Sequence, residues 1–288
     1  MREWLSIRGE RWVDTVALWI NALVWLPKRW WYNWRLGTPE AAWHKLMENP
    51  RKHWSQWPLS LQGRFFRWQD RLVTDALGLT WFLGRQHEDI PSAWLSRLTV
   101  GRIGIDIGAH RGYWSLIHRS QMPLSTRVVL LEPDPENYTH LLRNLAANQA
   151  YWAIALPVAA WRAPSRLLLC RPEVDIVHDS FSIKVEEGNS WDTLATSVDA
   201  LVQALALHTV DWIKIDVEGA EVAVLEGAAE TLQRFSPTLW IEIHDTWEEI
   251  ERLLAQLSYE VRDSIKKEGK YPYRHIGYIW AERQVGKG

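Results

Sequence analysis

Apolar and polar positions follow two different patterns on either side of about residue 98. After Gly101, short runs rich in valine and isoleucine alternate with segments of helical periodicity, which is the pattern of a mostly parallel sheet covered by helices on both faces. Before that point, apolar positions recur at helical spacing. The pattern therefore predicts a helical region over residues 1–97 and an α/β domain over residues 98–288.

The α/β domain is expected to begin with a β-α-β-α unit. Asp134 and Pro135 mark the start of its second helix, because aspartate accepts hydrogen bonds from helix amides and proline suits the first helical position. Ser197 is expected to cap a later short helix. The predicted strands are Ile103–Ile107, Val128–Leu131, Ile154–Ala160 with an extension at Leu167–Leu169, Val210–Ile215, Thr238–Ile243 and an antiparallel pair within Tyr259–Trp280. The predicted helices are Tyr113–Ser120, Pro135–Asn148, Glu218–Phe235 and Trp247–Leu257.

A narrow polar stripe predicts a helix over Trp12–Leu26. Most of its surface is apolar, so we expect it to be buried against another element or surface. The run is shorter than the about 20 apolar residues of a membrane-spanning helix, and it contains an acid. Two interpretations stay open: the helix packs against the α/β domain or another subunit, or residues 1–35 contact a membrane surface through tryptophan and basic side chains. A further helix is predicted over Ser60–Leu83, with an apolar face of Phe65, Phe66, Trp68, Leu72, Leu77 and Trp81.

Composition adds one anomaly, the abundance of tryptophan, with 21 in the chain and 13 of them before residue 100. The formal net charge of −2 gives no argument for a nucleic-acid partner. Cys170 is the sole cysteine, which excludes an intrachain disulfide and thiolate-rich metal sites and fits a reducing compartment. Since no secretory-signal pattern is seen, we expect a cytoplasmic protein, peripheral at the inner membrane face if the N-terminal region binds lipid.

A turn of small residues, Gly108–Gly112, follows the first predicted strand. Such a turn lets a ligand approach the backbone closely, but the Gly-x-Gly-x-x-Gly spacing of dinucleotide sites is missing. Glu132 ends the second predicted strand, 24 residues after Gly108, where a carboxylate can accept both hydrogen bonds of a ribose diol. An acid without a phosphate-binding loop favours S-adenosylmethionine over a dinucleotide, and Asp106 is then expected to face the methionine ammonium group. In a plainer interpretation, Asp106 or Glu132 only caps a helix.

Three segments, Ile105–Leu116, Leu131–Asn137 and Val210–Glu221, resemble the FkbM family of methyltransferases, and the similarity extends over about residues 101–282. The resemblance implies a seven-stranded, Rossmann-like methyltransferase fold that binds S-adenosylmethionine and methylates an oxygen of a sugar, a lipid-linked glycan or a secondary metabolite. His110, where the family more often has Asn, and the Trp-rich N-terminal region depart from the family pattern. These departures bear on the acceptor rather than on the cofactor.

The fourth predicted strand supplies the candidates for chemistry. Methyl transfer is an in-line displacement, so the enzyme must align the acceptor and, for an alcohol, remove or share its proton. Trp212, Lys214 and Asp216 share one face of this strand, and a lysine there stays charged only if it is paired. With the usual strand order of such folds, Asp106 and Glu242 lie on the two neighbouring strands.

We expect Asp216 and Glu218 to border the acceptor pocket, with Glu242 and His244 facing them and His244 accepting the proton. An alternative of equal weight is that Lys214 and Glu242 form a buried structural pair while His244 caps the next helix. The predicted catalytic residues are Asp216, His244, Glu218, Lys214 and Glu242. The predicted cofactor-binding residues are Asp106, Gly108, Ala109, His110, Gly112, Tyr113, Glu132, Pro133 and Asp216. We assign no metal, although Asp216, Glu242, His244 and Asp245 offer oxygen and imidazole ligands.

Two other functions compete with a small-molecule or glycan methyltransferase. A nucleic-acid methyltransferase would use the basic and aromatic N-terminal residues, but residues 1–57 hold nine Lys or Arg against five Asp or Glu, a modest surplus. A non-catalytic membrane-docking or assembly protein could keep the same fold, since fold alone does not establish activity. Assembly into a homo-oligomer is a further expectation for the Trp-rich region.

Overall fold

The computed structural model describes residues 101–172, 188–268 and 275–283, with short segments at 8–9, 12–13, 15–16, 65–68, 72–75 and 92–95. The chain forms two compact units, the first of residues 1–89 with 146–149 and the second of residues 90–145 and 150–288. Residues 12–13 and 15–16 are helical, as the Trp12–Leu26 pattern predicts. The rest of that helix, and the remaining residues of the proposed membrane contact apart from 8–9, lie outside the described residues.

The described part of the first unit contains a three-stranded antiparallel sheet of β1 (Arg8–Gly9), β2 (Phe65–Trp68) and β3 (Leu72–Asp75). The helix predicted over Ser60–Leu83 is therefore wrong at β2 and β3, which form a hairpin with Arg67 opposite Val73. The physical reason is local. Aromatic and β-branched residues favour strands, and helical periodicity alone does not exclude this alternative.

The second unit is a sheet covered by helices. Its strands are β4 (Ile103–Ile107), β5 (Arg127–Leu131), β6 (Ala153–Leu156), β7 (Ala159–Ala160), β8 (Ser165–Pro172), β9 (Gly188–Thr196), β10 (Trp212–Ile215), β11 (Thr238–His244), β12 (Tyr259–Glu268) and β13 (His275–Arg283). Its helices are α1 (Ser92–Leu95), α2 (Tyr113–His118), α3 (Pro135–Ala147), α4 (Val198–Ala204), α5 (Glu221–Glu226), α6 (Ala229–Phe235) and α7 (Trp247–Gln256).

Seven strands form the main sheet in the order β12-β13-β11-β10-β4-β5-β6. The five strands from β11 to β6 pair in parallel, and β13 is antiparallel to both of its neighbours. This confirms the predicted α/β class and the expected position of β10 between β4 and β11. Because β4, β5, β10 and β11 lie in the middle of the sheet, their carboxyl ends meet at one edge, where ligands bind in open α/β sheets.

The two faces of the central strands differ in chemistry. One face carries an aliphatic core that includes Ile105, Ile213 and Ile241, all essentially without exposed surface. On the other face the rings of Trp212 and Trp240 pack against Trp114 of α2, with centroids 5.6 to 6.1 Å apart. A rigid apolar layer on each side therefore holds the strand ends in place.

The third predicted strand is only partly correct. Ile154–Ala160 divides into β6, which joins the main sheet, and β7, which joins a separate three-stranded sheet in the order β7-β9-β8. The predicted extension at Leu167–Leu169 lies in β8 of that second sheet. A continuous apolar run does not encode which neighbour a strand pairs with, so the division was not visible in the pattern.

The single helix predicted over Glu218–Phe235 is also wrong, because the chain forms α5 and α6 with a break between them. The carbonyl of Gly227 accepts a hydrogen bond from the amide of Asp199, and the Asp199 carboxylate accepts hydrogen bonds from the amides of Glu230 and Thr231. Asp199, distant in sequence, therefore supplies the partners that end α5 and start α6. The helices predicted over Tyr113–Ser120, Pro135–Asn148 and Trp247–Leu257 are confirmed. The caps at Asp134 and Ser197 are also confirmed, since their side chains accept from the amides of Asn137 and Ala200.

Among the described helices, none combines the length and the apolar character needed to cross a membrane.

Alanine substitutions at Gly108 and Gly219 can test how closely the loop after β4 approaches the backbone of Asp216. Gly108 has φ +74°, and a Cβ there would lie 1.8 Å from the backbone oxygen of Asp216, whereas Gly219 has φ +98° with open space around it. We expect Gly219→Ala to lower the free energy of unfolding by about 1–2 kcal/mol, the cost of a left-handed backbone. Gly108→Ala should cost at least about 3 kcal/mol, because steric overlap is added. Urea unfolding measures both, and equal losses would contradict the close approach of the two strand-end loops.

Candidate active site

Lys214 lies at the centre of the sheet edge. Its Nζ is 3.2 Å from Asp106 Oδ1 on β4, 3.2 Å from Asp216 Oδ2 just beyond β10, and 3.2 Å from the carbonyl oxygen of Gly108. Burial by itself lowers the pKa of Lys214, but attraction to Asp106 and Asp216 outweighs it, so the pKa is raised and the ammonium stays charged. The expectation that this lysine must be paired is confirmed. The alternative pairing with Glu242 is not what forms, because Asp106 and Asp216 are the partners.

Asp106 has no exposed surface. Its Oδ2 accepts a hydrogen bond of 2.5 Å from the hydroxyl of Ser115 on α2, while its Oδ1 faces Lys214. Both oxygens of the Asp106 carboxylate therefore have partners within the protein. The ion pair with Lys214 agrees with the expected position of Asp106 on a strand next to β10.

The turn after β4 is held to the end of β5 through its backbone. The amides of Gly108 and Ala109 both donate to the carbonyl of Leu131, at 3.0 and 2.9 Å, and the amide of Gly112 donates to the carbonyl of Ala109. The amide of His110 donates to Glu132 Oε2 at 2.7 Å. These four amides are therefore used inside the protein and are not directed at a phosphate.

Glu132 is buried at the start of the loop that follows β5. Its second oxygen, Oε1, accepts a hydrogen bond of 2.9 Å from the amide of Asp134. Burial raises the pKa of Glu132 to about 8, although the hydrogen bonds from Asp134 and His110 oppose the shift. Each carboxylate oxygen has a second lone pair, so the ionised group can still accept from two hydroxyl groups.

The remaining cofactor candidates lie on the same two loops. Ala109 and Tyr113 are buried, while Gly108, His110 and Pro133 are half-buried. Gly112 has φ +80° and precedes α2, and the rings of His110 and Tyr113 are in edge contact at 5.9 Å. The structure thus brings the predicted cofactor residues together at the ends of β4, β5 and β10.

His244 lies at the end of β11 and joins the second half of the edge. Its Nδ1 is 2.8 Å from Glu221 Oε1, and its Nε2 is 3.3 Å from Glu218 Oε2 and 3.9 Å from Glu242 Oε1. Glu221 is fully buried, and its carboxylate also accepts from the amide of Gly219 and the hydroxyl of Thr246. Glu221 is not among the residues predicted for the site. Its position at the end of the Val210–Glu221 segment, which resembles the FkbM family, could have indicated a role.

Charge in this half of the edge is concentrated around one imidazole. Burial lowers the pKa of His244, but the bond to Glu221 and the nearby Glu218, Glu242 and Asp216 raise it to about 10 overall. Burial and then Asp216 raise the pKa of Glu242 well above its usual range. Burial also raises the pKa of Asp216, but Lys214 and then His244 outweigh it and lower it. An imidazolium has no lone pair for a proton, so His244 in this state cannot act as the predicted base.

The predicted catalytic residues are therefore close together, but in two groups. Lys214 and Asp216 belong to the group around Asp106, while Glu218 and Glu242 surround His244. Within the described residues, ligand atoms of Asp216, Glu218 and His244 all lie within 4.8 Å of one another. The cluster combines titratable groups of shifted pKa with partial exposure at the carboxyl edge of the sheet. This combination is typical of an active site.

Comparison with known proteins agrees with this geometry. A family model described as "Methyltransferase FkbM domain" matches residues 106–271, more than half of the chain. A curated relative, "Methyltransferase sdnD" from Sordaria araneosa, is 25% identical over 193 residues, covering 54% of this chain and 73% of the relative.

Solved methyltransferase structures are similar at a lower level. Methyltransferase FkbM from Methylobacillus flagellatus has 18% identity and a TM-score of 0.44, over 73% of this chain and 56% of that one, so the matched part spans little more than half of that protein. An O-methyltransferase from Bacillus cereus in complex with SAH has 13% identity and a TM-score of 0.43, over 68% of this chain and 82% of that one.

The seven-stranded sheet, with one antiparallel strand and an acidic edge at β4, β5, β10 and β11, defines a methyltransferase-type α/β protein. The match over residues 106–271 is more particular: the chain belongs to the FkbM family of methyltransferases, as the resemblance in the sequence indicates.

The buried cation can be tested with a substitution that removes it. We expect Lys214→Met to lower the free energy of unfolding by about 3–5 kcal/mol, because Asp106 is left buried without its counter-charge. The double variant Asp106→Asn, Lys214→Met should recover part of that loss. Lys266→Met is the control, since Lys266 is exposed above the Trp247 ring, and should cost less than about 1 kcal/mol. Chemical denaturation of the wild type and the three variants measures these losses, and a loss below about 1 kcal/mol for Lys214→Met would contradict the prediction.

Proposed function

We propose that this protein transfers the methyl group of S-adenosylmethionine to an oxygen of a small-molecule or glycan acceptor, such as a hydroxyl of a sugar, a glycolipid or a secondary metabolite. The adenosine half of the cofactor lies over the loops after β4 and β5, and the acceptor lies beside Asp216 and Glu218. Membership in the FkbM methyltransferase family supports the reaction class.

One observation carries the choice of cofactor. The amides of Gly108, Ala109 and His110 are all bonded within the protein, so the loop offers no cradle of free N–H groups to a pyrophosphate. Beside them stands Glu132, a buried carboxylate at the end of the second parallel strand. A nucleoside with a ribose diol and no phosphate fits this combination, and S-adenosylmethionine is such a ligand.

The other half of the edge suits an alcohol acceptor. In the reaction the acceptor oxygen forms a bond to the methyl carbon, the carbon–sulfur bond breaks, and the alcohol loses its proton. Asp216 is half-buried and its pKa is lowered by Lys214, so it is ionised at neutral pH and available as a hydrogen-bond acceptor for a hydroxyl group. Glu218, also half-buried, stands beside it at the same strand end.

The role of Glu132 can be measured by calorimetric titration with S-adenosylmethionine. Glu132→Gln should weaken binding by about tenfold or more, because an uncharged amide replaces the acceptor of two ribose hydroxyl groups. The control is Glu136→Gln, an exposed acid on the first turn of α3 that pairs with Arg111 at 3.5 Å, and its affinity should match the wild type. Equal affinity in all three proteins would place the ribose elsewhere, and no binding by the wild type would sink the cofactor proposal.

The raised pKa of Glu132 predicts how binding changes with pH. Because the pKa is about 8, most of the carboxyl is protonated at pH 7, and only the ionised form can accept from both hydroxyl groups. Affinity for S-adenosylmethionine should therefore rise on the order of tenfold between about pH 6.5 and about pH 8.5 and level off above that range. The Glu132→Gln protein reports ionisation of the ligand alone, so a wild-type profile parallel to that of the variant would refute the assignment.

Acceptor chemistry is tested by transfer of a labelled methyl group into cell extracts, with the label followed into polar metabolites, glycolipids and nucleic acid separately. Label in an alkali-stable methyl ether of a small molecule or glycan is the expected result. Label in nucleic acid would favour the competing function. S-adenosylmethionine binding without transfer into any fraction would favour a non-catalytic protein.

A further inference from the structure

We propose that Asp216, Glu218 and His244 form a binding site for one divalent cation of the Mn²⁺ type at the carboxyl edge of the sheet. The site would hold the cation through one oxygen of each acid and the Nε2 nitrogen of the histidine. Its existence does not depend on the proposed function, and only its suggested use in catalysis rests on that function.

Geometry is the first support. One ligand atom from each of the three residues lies within 4.8 Å of the other two, and His244 Nε2 is 3.3 Å from Glu218 Oε2. Metal–ligand bonds of about 2.0–2.2 Å place neighbouring ligand atoms about 3 Å apart. The observed separations therefore need only small side-chain adjustments to meet at a common ion.

The orientation of His244 is the second and independent support. The imidazole is buried, with 2% of its side chain exposed, and its Nδ1 is 2.8 Å from the fully buried carboxylate of Glu221. That carboxylate is held in turn by the amide of Gly219 and the hydroxyl of Thr246. A carboxylate on one ring nitrogen fixes the orientation of the ring and turns the other nitrogen toward Glu218, which is the usual arrangement behind a metal-binding histidine.

The carboxylate oxygens near Nε2 also favour a bound cation. Nε2 lies 3.3 Å from Glu218 Oε2 and 3.9 Å from Glu242 Oε1. A divalent cation bound by Nε2 would therefore be attracted by the carboxylate of Glu218.

The ligand set indicates the class of ion. Two carboxylates favour Mg²⁺ or Mn²⁺, and the imidazole shifts the preference toward the transition series. The three ligands leave open positions on an octahedral ion. If the proposed function holds, an acceptor hydroxyl bound at one of them would lose its proton more readily and be aligned for transfer.

The test is Mn²⁺ binding to the purified full-length protein, freed of metal by chelation and followed by electron paramagnetic resonance without cofactor. We expect one Mn²⁺ per chain, binding about tenfold or more weaker in Glu218→Gln, which removes a ligand. Glu221→Gln should weaken it by about 10- to 100-fold, because Glu221 positions His244. The matched control Glu249→Gln, an exposed acid on α7, should bind as the wild type does.

Circular dichroism melting of each variant separates lost binding from lost folding, and Glu218→Gln changes only a half-buried side chain. No Mn²⁺ binding by the wild type, or binding that is equal in Glu218→Gln and Glu249→Gln, overturns the proposal. A parallel titration with S-adenosylmethionine keeps the two hypotheses apart. A protein that binds Mn²⁺ but not the cofactor retains the metal site and loses the proposed function, and the reverse result retains the function alone.

Discussion

The sheet edge between β4 and β10 depends on a buried cation, the ammonium group of Lys214. It stands between Asp106 and Asp216, and it also donates to the carbonyl of Gly108. Two acids on neighbouring strands would repel each other in this low-dielectric interior if the lysine were absent. Because the charge is shared, β4 and β10 can end side by side, and the turn at Gly108 can approach the backbone of Asp216 closely. The contacts of Lys214 Nζ therefore link the pairing of β4 with β10, the position of the loop after β4 and the charge balance of the edge.

On either side of this cation the protein uses different means to build the site. Toward β5 the contacts are backbone amides that converge on Leu131 and Glu132, which gives a rigid loop of little charge. Toward β11 they are side chains, with acids arranged around His244. Of the seven non-glycine residues with positive φ in the described part of the chain, His110, Glu218 and Asp245 lie in loops at this edge, and the other four lie elsewhere in the fold.

Much of the fold was readable because local signals and burial agree in the central strands. Ile103–Ile107 is an apolar run between turns, and Asp134 with Pro135 begins a helix on local chemistry alone, so both predictions are confirmed. Two predictions of secondary structure are wrong because a residue or strand that is distant in the sequence determines the structure there. Asp199 ends one helix and starts the next, and the partner of β7 lies across an interval of more than 30 residues. The failure at β2 and β3 has a different cause, because these strands are adjacent in the chain and the same apolar positions fit a helix or a strand.

For the site, the sequence by itself determined which acids end which strands, because strand alternation and the motif segments place Asp106, Glu132 and Asp216 at the carboxyl edge. It also determined that Lys214 must be paired, since a bare ammonium group is too costly to bury. Only the tertiary structure decided its partners, which are Asp106 and Asp216 rather than Glu242. The structure likewise placed Glu221 next to His244, where it contributes to raising the pKa of the imidazole. The reason is physical: the pKa and the lone-pair direction of a side chain are set by neighbours within a few ångströms, and those neighbours come from segments that are distant in the chain.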